Sequence, residues 1–126
     1  MLTPDNLKYT NDHEWVKVED EIATIGITDF AQSELGEVVY IEVDVLNQKL
    51  KKEEIFGAIE AVKTVSDLFM PVSGEIIEVN DYIIDNSEEV NNDPYGKGWI
   101  IKVKISSISE LDELLNSDDY EKIIAV

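Results

Sequence analysis

The chain has no cysteine and no arginine, and it contains a single histidine among its 126 residues. The absence of cysteine excludes disulfides, thiolate metal sites and cysteine nucleophiles. One histidine cannot form the paired-histidine set of a typical zinc site, and no glycine-rich phosphate-binding loop is present. Acidic residues are so abundant that no pair of them stands out as an acid–base site. The composition therefore gives no support to an enzyme that uses its own side chains for catalysis.

Long apolar runs are also missing from the sequence. No segment approaches the ~20 apolar residues that are needed to span a bilayer. The first residues, 1–7, resemble neither a secretory signal nor an arginine-rich transit leader. We therefore expect a cytoplasmic protein, or a protein of the mitochondrial matrix if the chain is the processed form of a eukaryotic precursor.

Positive charge is scarce, because ten lysines stand against 28 acidic residues and give a net charge of −18. Such a surface repels nucleic-acid phosphates and anionic lipids, which argues against nucleic-acid and membrane partners. It favours electrostatically steered encounters with basic faces of other proteins. We therefore expect protein partners.

The sequence does contain many short β-prone segments. Its length and its 44% hydrophobic content indicate one domain, residues 1–126, that can bury a core. Strands are predicted at 14–18, 22–27, 37–43, 55–61, 64–70, 74–80 and 99–105. Short helices are predicted at 28–35, from 109 onward and at 117–126, with a long polar loop over 85–98. Strands at this spacing indicate a sandwich or a partly closed barrel.

An internal echo supports the sandwich. Gly36 and Gly74 each open a Gly-Glu-apolar-apolar segment, and the two segments lie on opposite sides of Lys63 in the sequence. Two similar β units that face each other would place the Lys63 hairpin at one edge of the molecule.

Lys63 lies between two β-prone runs, at a predicted hairpin tip, with the small residues Ala61 and Thr64 beside it. A lysine held out on a turn is accessible to an enzyme that acylates its amine, although most turn lysines are simply solvated. Acylation would make the protein a carrier whose chemistry belongs to an attached cofactor. An acyl carrier protein is excluded, because the surroundings of Ser66 are predicted to be strand rather than helix.

The order and spacing of several motifs resemble the H proteins of the glycine cleavage system over nearly the whole chain. These motifs are Tyr9-Thr-Asn-Asp-His-Glu-Trp-Val16, Ile25-Gly-Ile-Thr-Asp-Phe-Ala-Gln32, Leu35-Gly-Glu-Val-Val39, Gly57-Ala-Ile-Glu-Ala-Val-Lys63, Ser66-Asp67, Pro71-Val-Ser-Gly-Glu75, Val90-Asn-Asn-Asp-Pro-Tyr-Gly96 and Gly98-Trp99. The resemblance implies a mainly β, barrel-sandwich hybrid fold of the lipoyl- and biotinyl-carrier type. Its strands would be antiparallel, with short helices that include a C-terminal helical segment.

The resemblance also implies a function. Lys63 would carry lipoate in amide linkage, attached by a lipoate ligase or a lipoyl or octanoyl transferase. The lipoyl group together with the Lys63 side chain, here called the arm, would take an aminomethyl group from glycine at a decarboxylase, the P protein. It would deliver this group to an aminomethyltransferase, the T protein. Dihydrolipoyl dehydrogenase, the L protein, would reoxidise the reduced arm. The chain itself would be a non-catalytic carrier, and we expect a monomer.

The loaded arm bears a labile cationic amine that needs shelter from water. We expect an apolar groove beside the Lys63 hairpin, with carboxylates that pair with the ammonium. Glu14 and Asp67 are the candidates, since both lie inside matched motifs. His13 is interpreted as a structural or partner-facing residue, and Ser66 as a hydrogen-bonding residue of the turn.

The chain departs from the family pattern in three places, and two other carriers remain as alternatives. Ala61 replaces a usual serine, the turn at 43–48 has neither proline nor glycine, and Ser87 replaces a common proline. Ala61 is shared with biotin carriers, but those flank their lysine with methionines, whereas Val62 and Thr64 flank this one. A lipoyl relay protein, which donates lipoate to 2-oxoacid dehydrogenases, would keep the same lysine motif.

Overall fold

The computed structural model of the protein describes residues 2–124. The strands within this range are β1 Lys8–Tyr9, β2 Glu14–Glu19, β3 Ile22–Ile27, β4 Val38–Glu42, β5 Lys49–Leu50, β6 Ile55–Ala61, β7 Val65–Phe69, β8 Gly74–Val79 and β9 Ile101–Ile105. They form two antiparallel sheets, with the orders β1-β2-β3-β9-β8-β5 and β4-β6-β7. The predicted mainly β, antiparallel architecture is confirmed, and β1 and β5 are short additions to it.

Short helices connect and cover the sheets. They are α1 Asp29–Leu35, α2 Asp81–Asp85, α3 Glu89–Asn92 and α4 Ser117–Ile124, with a 3₁₀ helix at Ile108–Glu113. The prediction of a continuous polar loop over 85–98 is wrong, because α3 lies within it. Buried Val90 anchors that helix to the core. The C-terminal helix is confirmed to Ile124, and residues 125–126 of that prediction lie outside the described range.

The main core lies between the two sheets and follows the alternation of the strands. In β3 and β9 every second side chain joins this core, as expected for strands with one face covered. In β6 a register irregularity between Ile55 and Gly57 interrupts the alternation, so that Phe56 and Ile59 both reach the core. The fully buried members of this core include Ile25, Ile41, Phe56, Ile59, Met70, Ile76, Ile83, Ile100 and Ile101. The smaller sheet, which carries the Lys63 hairpin, is fixed to the larger one by this apolar layer.

The two glycines of the internal echo occupy different sheets. Gly36 precedes β4 in the smaller sheet, and Gly74 begins β8 in the larger one. Gly36 has a φ of 81°, which side chains rarely tolerate. A Cβ at Gly74 would lie 2.3 Å from the carbonyl oxygen of Lys104, so glycine is needed there for close strand approach. The same motif therefore meets two different steric demands.

A second, smaller core lies under the C-terminal helix. Leu7, Tyr9, Trp15 and Tyr120 are buried together there. The rings of Tyr9 and Tyr120 are stacked, with their centroids 4.6 Å apart. This contact attaches α4 to the strand pair β1–β2 and places it close to the turn before β2.

No helix within residues 2–124 is long and apolar enough to cross a membrane.

Candidate functional site

Lys63 lies in the tight connection between β6 and β7. The turn is closed by a hydrogen bond of 2.8 Å from the Ala61 N–H to the Thr64 carbonyl oxygen. Lys63 is exposed, and its ammonium makes no salt bridge with any residue in the described range. Its neighbours Val62 and Val65 are 68% and 61% exposed. The predicted position of Lys63, exposed on a turn between antiparallel strands, is confirmed.

A brace from outside the hairpin fixes the position of this turn. The Val62 N–H donates to the carbonyl oxygen of Glu37 at 2.9 Å. Residues on both sides of Glu37 are held by Asn91 of α3, whose amide group donates to the Gly36 carbonyl oxygen at 2.7 Å and accepts from the Val38 N–H at 2.9 Å. Asn91, in the segment predicted as a loop, therefore holds the backbone around Glu37. The Glu37 carbonyl in turn supports the Lys63 turn.

The end of α1 gives room to the lysine side chain. A Cβ added at Gly36 would lie 3.2 Å from Cε of Lys63, so the aliphatic stem rests over the glycine. Upstream, the Thr28 hydroxyl oxygen caps α1 by accepting the Ala31 N–H at 3.1 Å. The helix predicted at 28–35 is confirmed as Asp29–Leu35, and its end at Gly36 places α1 beside the hairpin.

A groove of about 280 Å³ runs between α1 and β7, beside the Lys63 turn. Its lining combines apolar side chains with carboxylates at the rim: Asp12, His13, Ile27, Phe30, Ala31, Glu34, Leu35, Ile59, Ser66, Asp67 and Leu68. β7 leads away from the turn along this groove, at about 3.4 Å per residue. A side chain extended from Lys63 can therefore lie along β7 over an apolar floor.

Asp67, one of the two carboxylates predicted to pair with the ammonium, lies on the groove wall. It is exposed, and its side chain makes no hydrogen bond or ion pair with the described residues. Two further carboxylates, Asp12 and Glu34, also line the groove and were not anticipated. Helical spacing could have indicated Glu34, because Phe30 and Glu34 are four residues apart and share one face of α1.

Glu14 is placed differently from Asp67. Only 2% of it is exposed, and it does not line the groove, although its neighbours Asp12 and His13 do. One carboxyl oxygen accepts the Phe69 N–H at 2.8 Å, and the other accepts the Thr10 hydroxyl at 3.2 Å. Glu14 therefore ties β2 to the far end of β7, just behind the end of the groove.

Burial raises the pKa of Glu14 from 4.5 to about 8, and the nearby charges of Asp12 and Glu53 act in the same direction. The hydrogen bonds from Phe69 and Thr10 oppose this rise but do not cancel it. At neutral pH the group therefore holds its proton. An ammonium that came close would favour the ionised form and expel that proton.

His13 stands on the groove wall opposite β7, in a turn where its φ is 66°. Partial burial lowers its pKa, and the carboxylates of Asp12 and Glu34 oppose the shift. Its ring contacts the Phe30 ring at 4.9 Å between centroids. The structure therefore gives the single histidine a place in the groove as well as the structural role that the sequence suggests.

The site is thus an exposed lysine on a hydrogen-bonded turn beside a groove. Comparison of this chain with known proteins points to one family. A family model described as glycine cleavage H-protein matches residues 7–126. The chain belongs to this family. The glycine cleavage system H protein of Carboxydothermus hydrogenoformans is 51% identical to it, over 98% of this chain and 95% of that protein. The glycine cleavage system H protein of Bacteroides fragilis is 47% identical to this chain, over 98% of both chains.

A solved structure agrees with the H-protein assignment. The crystal structure of a glycine cleavage system H protein from Mycobacterium marinum matches with a TM-score of 0.91 at 33% identity. The match covers 98% of this chain and 100% of that one. The barrel-sandwich fold predicted from the resemblance is thereby confirmed. The comparisons support the glycine cleavage interpretation and not the lipoyl relay or biotin carrier alternatives.

Proposed function

We propose that the chain carries lipoate in amide linkage on Lys63 and serves the glycine cleavage system as a non-catalytic carrier of the aminomethyl group. One observation carries the proposal: in an H-protein fold, the exposed ammonium of Lys63, which makes no ion pair with residues 2–124, stands on a hydrogen-bonded turn beside an apolar groove. An enzyme that attaches lipoate can reach this amine without displacing an ion pair to any described residue.

The residues around Lys63 fit such a group. The groove offers an aliphatic chain the apolar side chains of Ile27, Leu35 and Ile59, and it offers a cationic amine the carboxylate of Asp67. Lipoate, when attached, supplies a disulfide that accepts the aminomethyl group and ends as a dithiol. The chain supplies reach, shelter and a recognisable surface, and tethering raises the local concentration of the arm at each partner.

The partners follow from the same proposal. They are the glycine decarboxylase, the aminomethyltransferase, dihydrolipoyl dehydrogenase and a lipoate-attaching ligase or transferase. The net charge of −18 favours basic docking faces on these enzymes. The exposed Val62 and Val65 beside the lysine add an apolar contact that all of these enzymes would meet as they approach.

Asp67 and Glu14 are proposed as the guards of the loaded arm, in different ways. Asp67 faces the groove and pairs with the ammonium directly. Glu14 lies behind the end of the groove, protonated at neutral pH, and an arriving ammonium stabilises its ionised form. A surface ion pair contributes only about 0–1 kcal/mol, so the apolar walls must exclude water as well.

Reconstitution tests this function. We expect the protein purified from its own host to show the mass of one lipoyl group. With the decarboxylase it should support glycine-dependent release of carbon dioxide, and addition of the transferase and tetrahydrofolate should release ammonia. A lipoylated sample that supports neither release would contradict the proposal, and a biotinyl mass would identify a different carrier.

Asp67→Asn is expected to shorten the lifetime of the loaded form by about threefold, because it removes the exposed carboxylate that faces the ammonium. The measurement is ammonia release from the purified loaded protein without the transferase. Asp85→Asn is the matched control, since Asp85 is an exposed acid at the end of α2 that does not line the groove. Equal rates in the two variants would show that net charge, not Asp67, governs the lifetime.

A further inference from the structure

Tyr120 of the C-terminal helix α4 places its hydroxyl between two residues of the groove region. The residue is fully buried, and its hydroxyl oxygen lies 2.9 Å from Nδ1 of His13 and 2.7 Å from Oγ1 of Thr28. The first contact joins residues 107 positions apart and the second joins residues 92 apart. Neither contact has a role in attaching the arm to Lys63.

The two contacted residues belong to the side of the groove that faces β7, where the His13 ring contacts Phe30 of α1. His13 forms part of one wall directly. Thr28 is the N-cap of α1, and that helix supplies Phe30, Glu34 and Leu35 to the lining. The Tyr120 hydroxyl therefore links the turn before β2 to the helix α1 that packs against it.

The hydrogen-bond partners of Thr28 determine which atom donates in each of these two contacts. Thr28 is fully buried, and its Oγ1 already accepts the Ala31 N–H at 3.1 Å. Within the described residues the only other partner of Oγ1 is the Tyr120 hydroxyl, so the Thr28 proton must be donated there to avoid a buried unpaired donor. The Tyr120 proton is then donated to Nδ1 of His13. The histidine is left as the neutral tautomer that bears its proton on Nε2.

We propose that Tyr120 is a positioning residue, which fixes the orientation of the His13 ring and its packing against α1, so that α4 controls the resting site of the arm. The ring stack with Tyr9 holds Tyr120 in place for this task. The proposal rests on the proposed carrier function only in what it says about the arm. The orientation of the His13 ring by Tyr120 is expected in the unmodified protein as well.

Charged groups around His13 also change its pKa, and their effect is distinct from that of the Tyr120 hydroxyl. Asp12 on the same turn and Glu34 on α1 both raise the histidine pKa, whereas burial lowers it. The Asp67 carboxylate lines the same groove from β7. A donor to Nδ1 stabilises the neutral ring, and its removal adds to the effect of the carboxylates. Loss of the Tyr120 hydroxyl should therefore raise the His13 pKa.

The test begins with nuclear magnetic resonance of the unlipoylated protein, in which the single histidine gives one unambiguous ring signal. In the wild type we expect the ring nitrogen shifts of a fixed Nε2–H tautomer at neutral pH. In Tyr120→Phe we expect a mixture of tautomers and a higher histidine pKa. A wild-type ring with its proton on Nδ1, or in rapid exchange between both nitrogens, would overturn the proposal even if the variant did not fold.

Tyr9→Phe is the matched control, because it removes a hydroxyl from the other ring of the same stack. That hydroxyl donates to the Pro4 carbonyl oxygen, away from the groove. We expect Tyr9→Phe to leave the His13 titration unchanged. An unchanged titration in Tyr120→Phe, or an equal shift in both variants, would show that Tyr120 does not position the histidine.

The effect on the arm is measured separately, with the lipoylated and loaded protein. Ammonia release without the transferase should rise about fivefold in Tyr120→Phe, the change expected when one net hydrogen bond is lost, and should not rise in Tyr9→Phe. A shifted His13 titration with unchanged release would refute the link between α4 and the arm. A wild-type protein that never loads would refute the carrier function and leave the test of His13 standing.

Discussion

Lys63→Arg is expected to abolish lipoylation completely while leaving the fold intact. Amide formation needs a lysine amine that can lose its proton, whereas a guanidinium stays protonated and forms no such amide. The substitution keeps the positive charge on an exposed turn that makes no salt bridge within the described range, so the stability should be unchanged. Intact mass after incubation with a lipoate-attaching enzyme measures the loss.

Lys97→Arg is the control for Lys63→Arg, because Lys97 is also exposed, in a turn on another part of the surface. We expect it to accept one lipoyl group as the wild type does. Thermal unfolding of both variants should match the wild type. Lipoylation that persists in Lys63→Arg would show that another lysine is the attachment site and would refute the assignment of Lys63.

Glu14→Gln is expected to remove a large part of the pH dependence of stability. The wild-type carboxyl has a pKa of about 8 in the folded chain, raised by burial from 4.5. A raised carboxyl pKa stabilises the fold fully below pH 4.5, and that contribution is lost as the pH rises through about 8. The glutamine amide oxygen can still accept the Phe69 N–H but cannot ionise. The variant should therefore gain stability relative to the wild type as the pH rises through this window.

The expected gain approaches about 1.4 kcal/mol for each pH unit inside the window. Denaturant unfolding of the wild type and Glu14→Gln between pH 4.5 and 8 measures it. Glu42→Gln is the control, since it makes the same substitution at an exposed position of β4. A stability difference that does not change with pH would show that Glu14 is already ionised in the fold.

The different environments of Asp67 and Glu14 show what sequence motifs can and cannot predict about a residue. Both residues lie inside matched motifs, and the sequence analysis gives them the same role. The structure exposes Asp67 on the groove and buries Glu14 to 2% exposure behind its end. The buried carboxyl of Glu14 accepts a hydrogen bond from the N–H of Phe69, which is 55 residues away in the chain. Local spacing carries no information about such a partner, so the difference in environment could not be predicted.

The error at 85–98 has a similar cause. The polar residues and glycines of this segment indicate a loop, and the four-residue helix α3 is too short to show a helical period. Burial of Val90 and the bonds of Asn91 to the Gly36 carbonyl and the Val38 N–H hold the helix against the end of α1. Tertiary contacts, rather than local propensity, therefore decide this element and its support of the Lys63 turn.

The sequence alone determined the longer strands, the helix at 28–35 and the turn that carries Lys63. These features depend on alternation, caps and turn residues, which act between neighbours in the chain. Only the tertiary structure decided which carboxylates face the groove, which one is buried with a raised pKa, and that Tyr120 reaches His13 from the far end of the chain. Burial and hydrogen-bond partners arise when distant segments pack, and a linear pattern does not specify that packing.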